Sequence, residues 1–92
     1  MKRIVIVAAR RTPFGRFRGA LAELSAVQLA VTAGEAALNG IDRSLIDQVI
    51  LGNVLSAGHG MNVARQVAVH LRLRIDTDAT TVIMTCGSGM QS

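Results

Sequence analysis

Tryptophan and tyrosine are missing from this 92-residue chain, and phenylalanine occurs only as Phe14 and Phe17. That leaves no ladder of aromatic rings on which nucleic-acid bases could stack. Cysteine occurs once, at Cys86, so an internal disulfide cannot form, and a single thiol fits a reducing compartment. One cysteine and two scattered histidines, His59 and His70, show no metal-ligand spacing, and no metal is expected. No apolar run approaches the roughly 18 residues of a membrane span, and no secretory leader is visible. Acidic residues are absent before Glu23, whereas Lys2, Arg3, Arg10, Arg11, Arg16 and Arg18 all precede it. Three readings compete for that basic cluster. A transit segment should form an amphipathic helix, which Ile4-Val5-Ile6-Val7 and Pro13 oppose. A phosphate- or nucleic-acid-binding patch through Arg10, Arg11, Arg16 and Arg18 lacks stacking aromatics and any known binding module. The plain reading is a solvated or partner-facing loop that follows a buried strand.

What the chain has instead is aliphatic mass. Hydrophobic residues make up 50% of it, and the net charge is +4. Mean hydropathy is +0.40. Alanine, valine, isoleucine and leucine are the usual filling of a parallel sheet covered on both faces. A chain this short buries only about 60–65% of its extended surface, so part of this apolar mass calls for a further segment or subunit.

The pattern predicts strand, helix, strand, helix, strand. Ile4 to Ala9 is a continuous apolar run of strand length, the signature of a central parallel strand. Residues 10–19 read as loop, broken by Pro13, Gly15 and Gly19. Ser25 and Gln28 form a capping box, and Leu24, Val27, Val31 and Leu38 recur at helical spacing until Asn39-Gly40 stops the helix. Small residues, Ala30, Ala33, Gly34 and Ala37, keep one side of it narrow. After a turn at Asp42-Arg43-Ser44, Val49 to Leu51 reads as the second strand, ending at Gly52. Asn62 is the expected N-cap of a helix reaching about Leu71, and Ala79 to Thr85 is the third strand. Helical crossovers between strands make the sheet parallel, so the fold class is α/β.

The third strand runs straight into Cys86-Gly87-Ser88-Gly89. Such a junction can present a thiol beyond the carboxyl end of a sheet, where open α/β folds bind ligands. The alternative is a small buried hydrophobe, the ordinary fate of a lone cysteine. Magnitudes limit the first reading. Lowering a thiol pKa from 8.5 to 7 takes about 2 kcal/mol, whereas a helix terminus typically gives about 0.3–1 kcal/mol. A full nucleophile therefore needs a base. Neither His59 in the glycine loop nor His70 near the end of the second helix is forced toward Cys86, and both read as ordinary loop and surface histidines. Gly58-His59-Gly60-Met61-Asn62-Val63, with Asp76 and Asp78 downstream, imitates a dinucleotide fingerprint, but it does not leave its strand directly after Gly52. After the turn only Met90, Gln91 and Ser92 remain, too few for a helix that persists alone, so the chain is expected to be truncated after the nucleophile turn.

Taken in order, Ile4-Val5-Ile6-Val7-Ala8-Ala9-Arg10, Arg11-Thr12-Pro13-Phe14-Gly15, Val49-Ile50-Leu51-Gly52-Asn53-Val54-Leu55, Ala64-Arg65-Gln66 and Cys86-Gly87-Ser88-Gly89-Met90-Gln91 resemble the start of a thiolase. The resemblance implies a βαβαβ opening of a thiolase-like domain. Residues 1–92 would be the incomplete N-terminal part of the family's N-terminal domain. It implies that Cys86 takes an acyl group from an acyl-CoA thioester and passes it to acetyl-CoA in a Claisen condensation. In the degradative direction the same thiol serves thiolytic cleavage of a 3-ketoacyl-CoA. Coenzyme A thioesters would be substrates, with no tightly bound cofactor, no nucleic acid and no membrane as partners. The base, the second acid/base cysteine and most coenzyme A contacts would lie beyond Ser92, leaving the 92 residues inactive alone. A homodimer or homotetramer is implied, with Thr80 to Thr85 and Asn62 to Gln66 at the interface. A cytoplasmic location is expected, or mitochondrial matrix or peroxisome in a eukaryote. Two positions depart from the family pattern: Val63 replaces a usual proline, and Ile83 a frequent asparagine. A thiolase-like protein without catalysis is the remaining alternative.

Overall fold

The computed structural model of the chain describes residues 3–15, 19, 24–53, 62–83 and 87–92. Among these, helix α1 spans Ala26–Ala37 and a 3-10 turn spans Arg43–Leu45. Strand β1 (Gln48–Gly52), helix α2 (Val63–His70), strand β2 (Asp78–Val82) and the single turn α3 (Ser88–Gln91) follow.

Each start and stop has a local cause. The Ser25 hydroxyl accepts from the Gln28 N–H at 3.1 Å, and the Ser25 N–H donates to Gln28 Oε1 at 2.7 Å, so the expected capping box opens α1. Past its end, Gly40 adopts φ +79° and turns the chain. Asp42 caps the 3-10 turn, its carboxylate accepting from both the N–H and the hydroxyl of Ser44. Those two bonds, the hydroxyl's first, hold the Asp42 carboxyl below its ordinary pKa.

Strands β1 and β2 are parallel neighbours, in register from Gln48 opposite Asp78 to Gly52 opposite Val82. Helix α2 packs against both strands and against α1, which makes it the centre of the molecule. Val63, Val67 and Leu71, one turn apart on α2, are buried. Val27, Ala30, Val31 and Leu38 of α1, together with Leu51 and Leu73, close around them. The helical spacing read in the first helix therefore reports its true contact face. On the α2 side of the sheet lie the half-buried pairs Val49/Ala79 and Leu51/Thr81, whereas Ile50 and Thr80 are exposed. Only one sheet face is covered to this extent among the described residues.

One expectation is overturned. Ile4 to Ala9 does not join the sheet: residues 3–15 carry no strand, and Ile4 is 99% exposed. The parallel α/β architecture holds, but among the described residues it is built on a single β1–α2–β2 unit rather than on three strands. An apolar run states that a segment is worth burying, not which surface will bury it. The third predicted strand is also shorter than read. It pairs only as far as β1 reaches, the last bond being from the Asn53 N–H to the Val82 carbonyl at 3.1 Å. Thr85 lies outside the described residues.

The end of α2 is closed by a Schellman motif. The Leu73 N–H donates to the Ala68 carbonyl at 3.1 Å and the Arg72 N–H to the Val69 carbonyl at 3.0 Å. Arg72 takes the left-handed position with φ 57°, where its Cβ is disfavoured by about 1–2 kcal/mol. Arg72→Gly is therefore expected to raise stability by about 1 kcal/mol, because the relieved strain exceeds the extra backbone entropy glycine loses. A shift of the urea midpoint to lower denaturant would contradict this.

Arg43 ties three elements together. Its Nη1 donates to the Leu71 carbonyl at 2.7 Å and to Glu35 Oε1 at 3.2 Å, and its Nη2 bonds Glu35 Oε2. One guanidinium thus satisfies an orphan carbonyl at the end of α2 and forks onto α1. The hydrogen bond from Arg43 holds the Glu35 carboxyl below its ordinary 4.5, and the same pair raises Arg43. Since the folded pKa is the lower one, this contribution to stability is complete above about pH 4.5. It is lost as pH falls through the folded value. Glu35→Gln should accordingly flatten the fall of the urea midpoint below that pH. An acid limb unchanged by the substitution would remove the pair from the stability argument.

Candidate active site

Cys86, the predicted nucleophile, lies outside the described residues, as do Met84 and Thr85. The chain on either side of them is described. Val82 ends β2 in the sheet, and Ile83 beyond it is 59% exposed. Gly87 is the N-cap of α3 with no side-chain cap, Ser88 is 2% exposed, and α3 packs against β1. The described chain therefore gives a paired strand before this segment and a docked helical turn after it.

The other side of this region is the start of α2. Asn62, the predicted N-cap, has a left-handed backbone with φ 32°, and its Oδ1 accepts from the Arg65 N–H at 3.4 Å. Its side chain does more than cap. Asn62 Nδ2 donates to the Ala79 carbonyl at 3.1 Å, while Oδ1 accepts from the Thr81 hydroxyl at 2.8 Å. The Thr81 oxygen in turn accepts from the Ala64 N–H at 2.9 Å, one of the amides a helix start leaves unpaired. Arg65 reaches the carbonyl of Thr77, a residue with no exposed surface whose hydroxyl donates to the Ile46 carbonyl at 3.3 Å. Apart from the local cap bond to Arg65, these bonds join the start of α2 to β2 or to Thr77 just before it, and Thr77 to the segment before β1.

Val63, where a proline was the family expectation, is 1% exposed and sits in the core. The missing proline costs the preorganised φ of a first helical residue, but the valine supplies apolar burial at the same place. The departure is compatible with the fold.

The structure does not assemble the other candidates into a site. His70 is exposed at the end of α2 and lines a shallow groove with Leu24, Val27, Gln28, Val31 and Thr32. His59, Gly58 and Gly60 lie outside the described residues. Asp76 is exposed and pairs with Arg74 at 3.5 Å, and Asp78 begins β2. Arg10 and Arg11 are exposed, with Arg11 stacked over the Phe14 ring at 5.3 Å from its centroid. Among the described residues no three histidine, cysteine or acidic side chains converge as metal ligands. None of the described helices is long and apolar enough to cross a membrane.

Sequence reasoning missed Thr81, Arg65 and Arg43. Thr81 looked like any β-branched strand residue, and its partners lie 17 and 19 positions away. No local pattern encodes such a pairing. Asn62 alone carried a signal, as a cap.

The chain matches the family model for the thiolase N-terminal domain over residues 4–92. It is 43% identical over its whole length to an acetyl-CoA acetyltransferase of Clostridioides difficile, 88% of which it covers. It is 47% identical, again over its whole length, to a probable acetyl-CoA acetyltransferase of Escherichia coli, but spans only 24% of that protein. A thiolase of Ascaris suum, solved in complex with coenzyme A, superposes on 91% of the chain with a TM-score of 0.87 and 37% identity. The chain covers 22% of that structure.

Proposed function

This chain belongs to the thiolase family, and from that membership we propose that the whole protein carrying it is an acyl-CoA acyltransferase with Cys86 as its nucleophile. The Cys86 thiolate attacks the carbonyl of an acyl-CoA thioester. The tetrahedral intermediate collapses with expulsion of the coenzyme A thiolate, which takes up a proton, and the acyl group remains on sulfur. In synthesis the enolate of acetyl-CoA accepts that acyl group; in degradation free coenzyme A does. The Cys86 N–H contributes to the oxyanion hole, where one donor is worth about 2.7–4 kcal/mol in the transition state. The thiolase resemblance implies that the proton acceptor for the thiol comes from outside these 92 residues, and a helical turn alone supplies too little stabilisation to replace it.

The observation that carries this reading is the family match running through Cys86-Gly87-Ser88-Gly89, which begins after β2 in the chain and runs into α3. A coenzyme A complex of a related fold supports thioesters as the substrate class.

The test is to mix the whole protein with labelled acetyl-CoA, quench in acid and map the label. One acetyl group on the peptide holding Cys86, with coenzyme A released in equal amount, is the expected result. Thioester turnover with the label elsewhere, or no turnover at all, would end the proposal. The isolated 92-residue chain is expected to be inactive, with Cys86 alkylated about as slowly as an ordinary peptide thiol of pKa about 8.5. Strongly accelerated alkylation near neutral pH would show that its activating groups are already present.

A further inference from the structure

We propose that Thr81 and Asn62 form a positioning bridge that holds the end of β2, and so sets where the chain enters the nucleophile turn. This rests on the reading of Cys86 as nucleophile, five residues after Thr81. Three hydrogen bonds make the bridge, and they interlock. Thr81 Oγ1 accepts from the Ala64 N–H, which directs its own proton to Asn62 Oδ1. With Oδ1 oriented in this way, Nδ2 faces the Ala79 carbonyl, two residues before Thr81 on the same strand. Asn62 holds this pose from a left-handed backbone that asparagine tolerates better than most residues. Strand β2 is thereby fastened to the first turn of α2 at two successive positions of one face.

The location is what gives the bridge a role beyond capping. Pairing with β1 ends at Val82, and Ile83 is already exposed. Thr81 is thus the last strand residue that both lies in the ladder and grips a second element. Beyond Val82, whose carbonyl accepts the last ladder bond from the Asn53 N–H, the next described anchorage is Ser88, buried at the start of α3. A hinge at Thr81 would change the direction in which the intervening residues leave the sheet. Misplacement by about 1 Å from a site remote from the chemistry can cost on the order of 100-fold in rate. Neither residue needs to touch substrate, so both act as positioning residues.

The experiment compares Thr81→Val, Thr81→Ser and Asn62→Gly in the whole protein, with acetylation of Cys86 and amide hydrogen exchange measured in parallel. Valine keeps the shape and removes both hydroxyl bonds; glycine removes the Asn62 side chain while tolerating the positive φ. Thr81→Val and Asn62→Gly are each expected to slow acetylation about 10-fold, with half-saturation by acetyl-CoA changed less than about 2-fold. Exchange at Ile83 and through Ser88–Gln91 should quicken while α1 is unchanged, and Thr81→Ser should restore both readouts. Wild-type acetylation and exchange in the valine and glycine variants would overturn the proposal. A lowered unfolding midpoint with an unchanged acetylation rate would overturn it too, as would equal loss in the serine variant. If the unaltered protein never acetylates Cys86 but exchange follows the predicted pattern, the proposed function fails and the bridge stands. If it acetylates and the valine and glycine variants match it, the bridge fails and the function stands.

Discussion

Cys86→Ser in the whole protein is expected to lower thioester-dependent acyl transfer by about four orders of magnitude or more, the scale on which covalent enzymes lose activity with their nucleophile. The two side chains are close in size, so the effect is one of reactivity. A thiol of pKa about 8.5 is partly ionised at neutral pH and reaches a useful thiolate fraction with about 2 kcal/mol of help, whereas a hydroxyl does not ionise there. Structure should be preserved, since the exchange is nearly isosteric and leaves the paired strand before it and the docked helical turn after it untouched. The check is acid-stable label on the mapped peptide, together with an unchanged unfolding midpoint. Near-normal turnover in the serine variant would move the chemistry to another residue and remove the basis for assigning Cys86.

Leu71→Ala should be the most damaging change to folding, costing about 2–5 kcal/mol, the range for a fully buried leucine whose neighbours cannot collapse into the space. Leu71 is 5% exposed and packs with Val63 and Val67. Its side chain also lies against the one glycine of α1 that must be small. A Cβ on Gly34 would stand 2.9 Å from Leu71 Cδ1. The two helices meet at this pair, and Arg43 fixes the same place from outside by binding the Leu71 carbonyl. Removing the isobutyl group leaves a void bounded by two helices that Arg43 and Glu35 still hold apart. For a chain of this length such a loss is a large part of the total stability. The urea midpoint measures it; a cost below about 1 kcal/mol would mean that α1 closes onto α2 and that the contact is softer than its geometry.

Much of the fold was legible because its signals are local. Ser25 and Gln28 are three residues apart, and Asn62 acts on an amide three residues on. Val27 and Val31 declare a helix face by spacing alone. Strand β1 was readable from Val49 to Leu51 because its apolar run is short and bounded by Gly52. Ile4 to Ala9 misled for the same kind of reason. Its pattern is genuine, but a strand exists only where another strand offers its amides and carbonyls, and no local property of residues 4–9 states which strand that is. Arg72 carried no signal at all, since the left-handed end of α2 falls on an arginine where sequence rules look for glycine.

The family, the α/β class and the residue type at position 86 were determined by the sequence alone, because they depend on which residues occur and in what order along one dimension. Tertiary structure alone decided that Thr81 and Asn62 meet, that Arg43 joins α1 to the end of α2, and that residues 3–15 lie outside the sheet. These are pairings between residues far apart in the chain. Their energy arises only when the backbone brings a donor within about 3 Å of its acceptor, a distance that no spacing rule along the chain encodes.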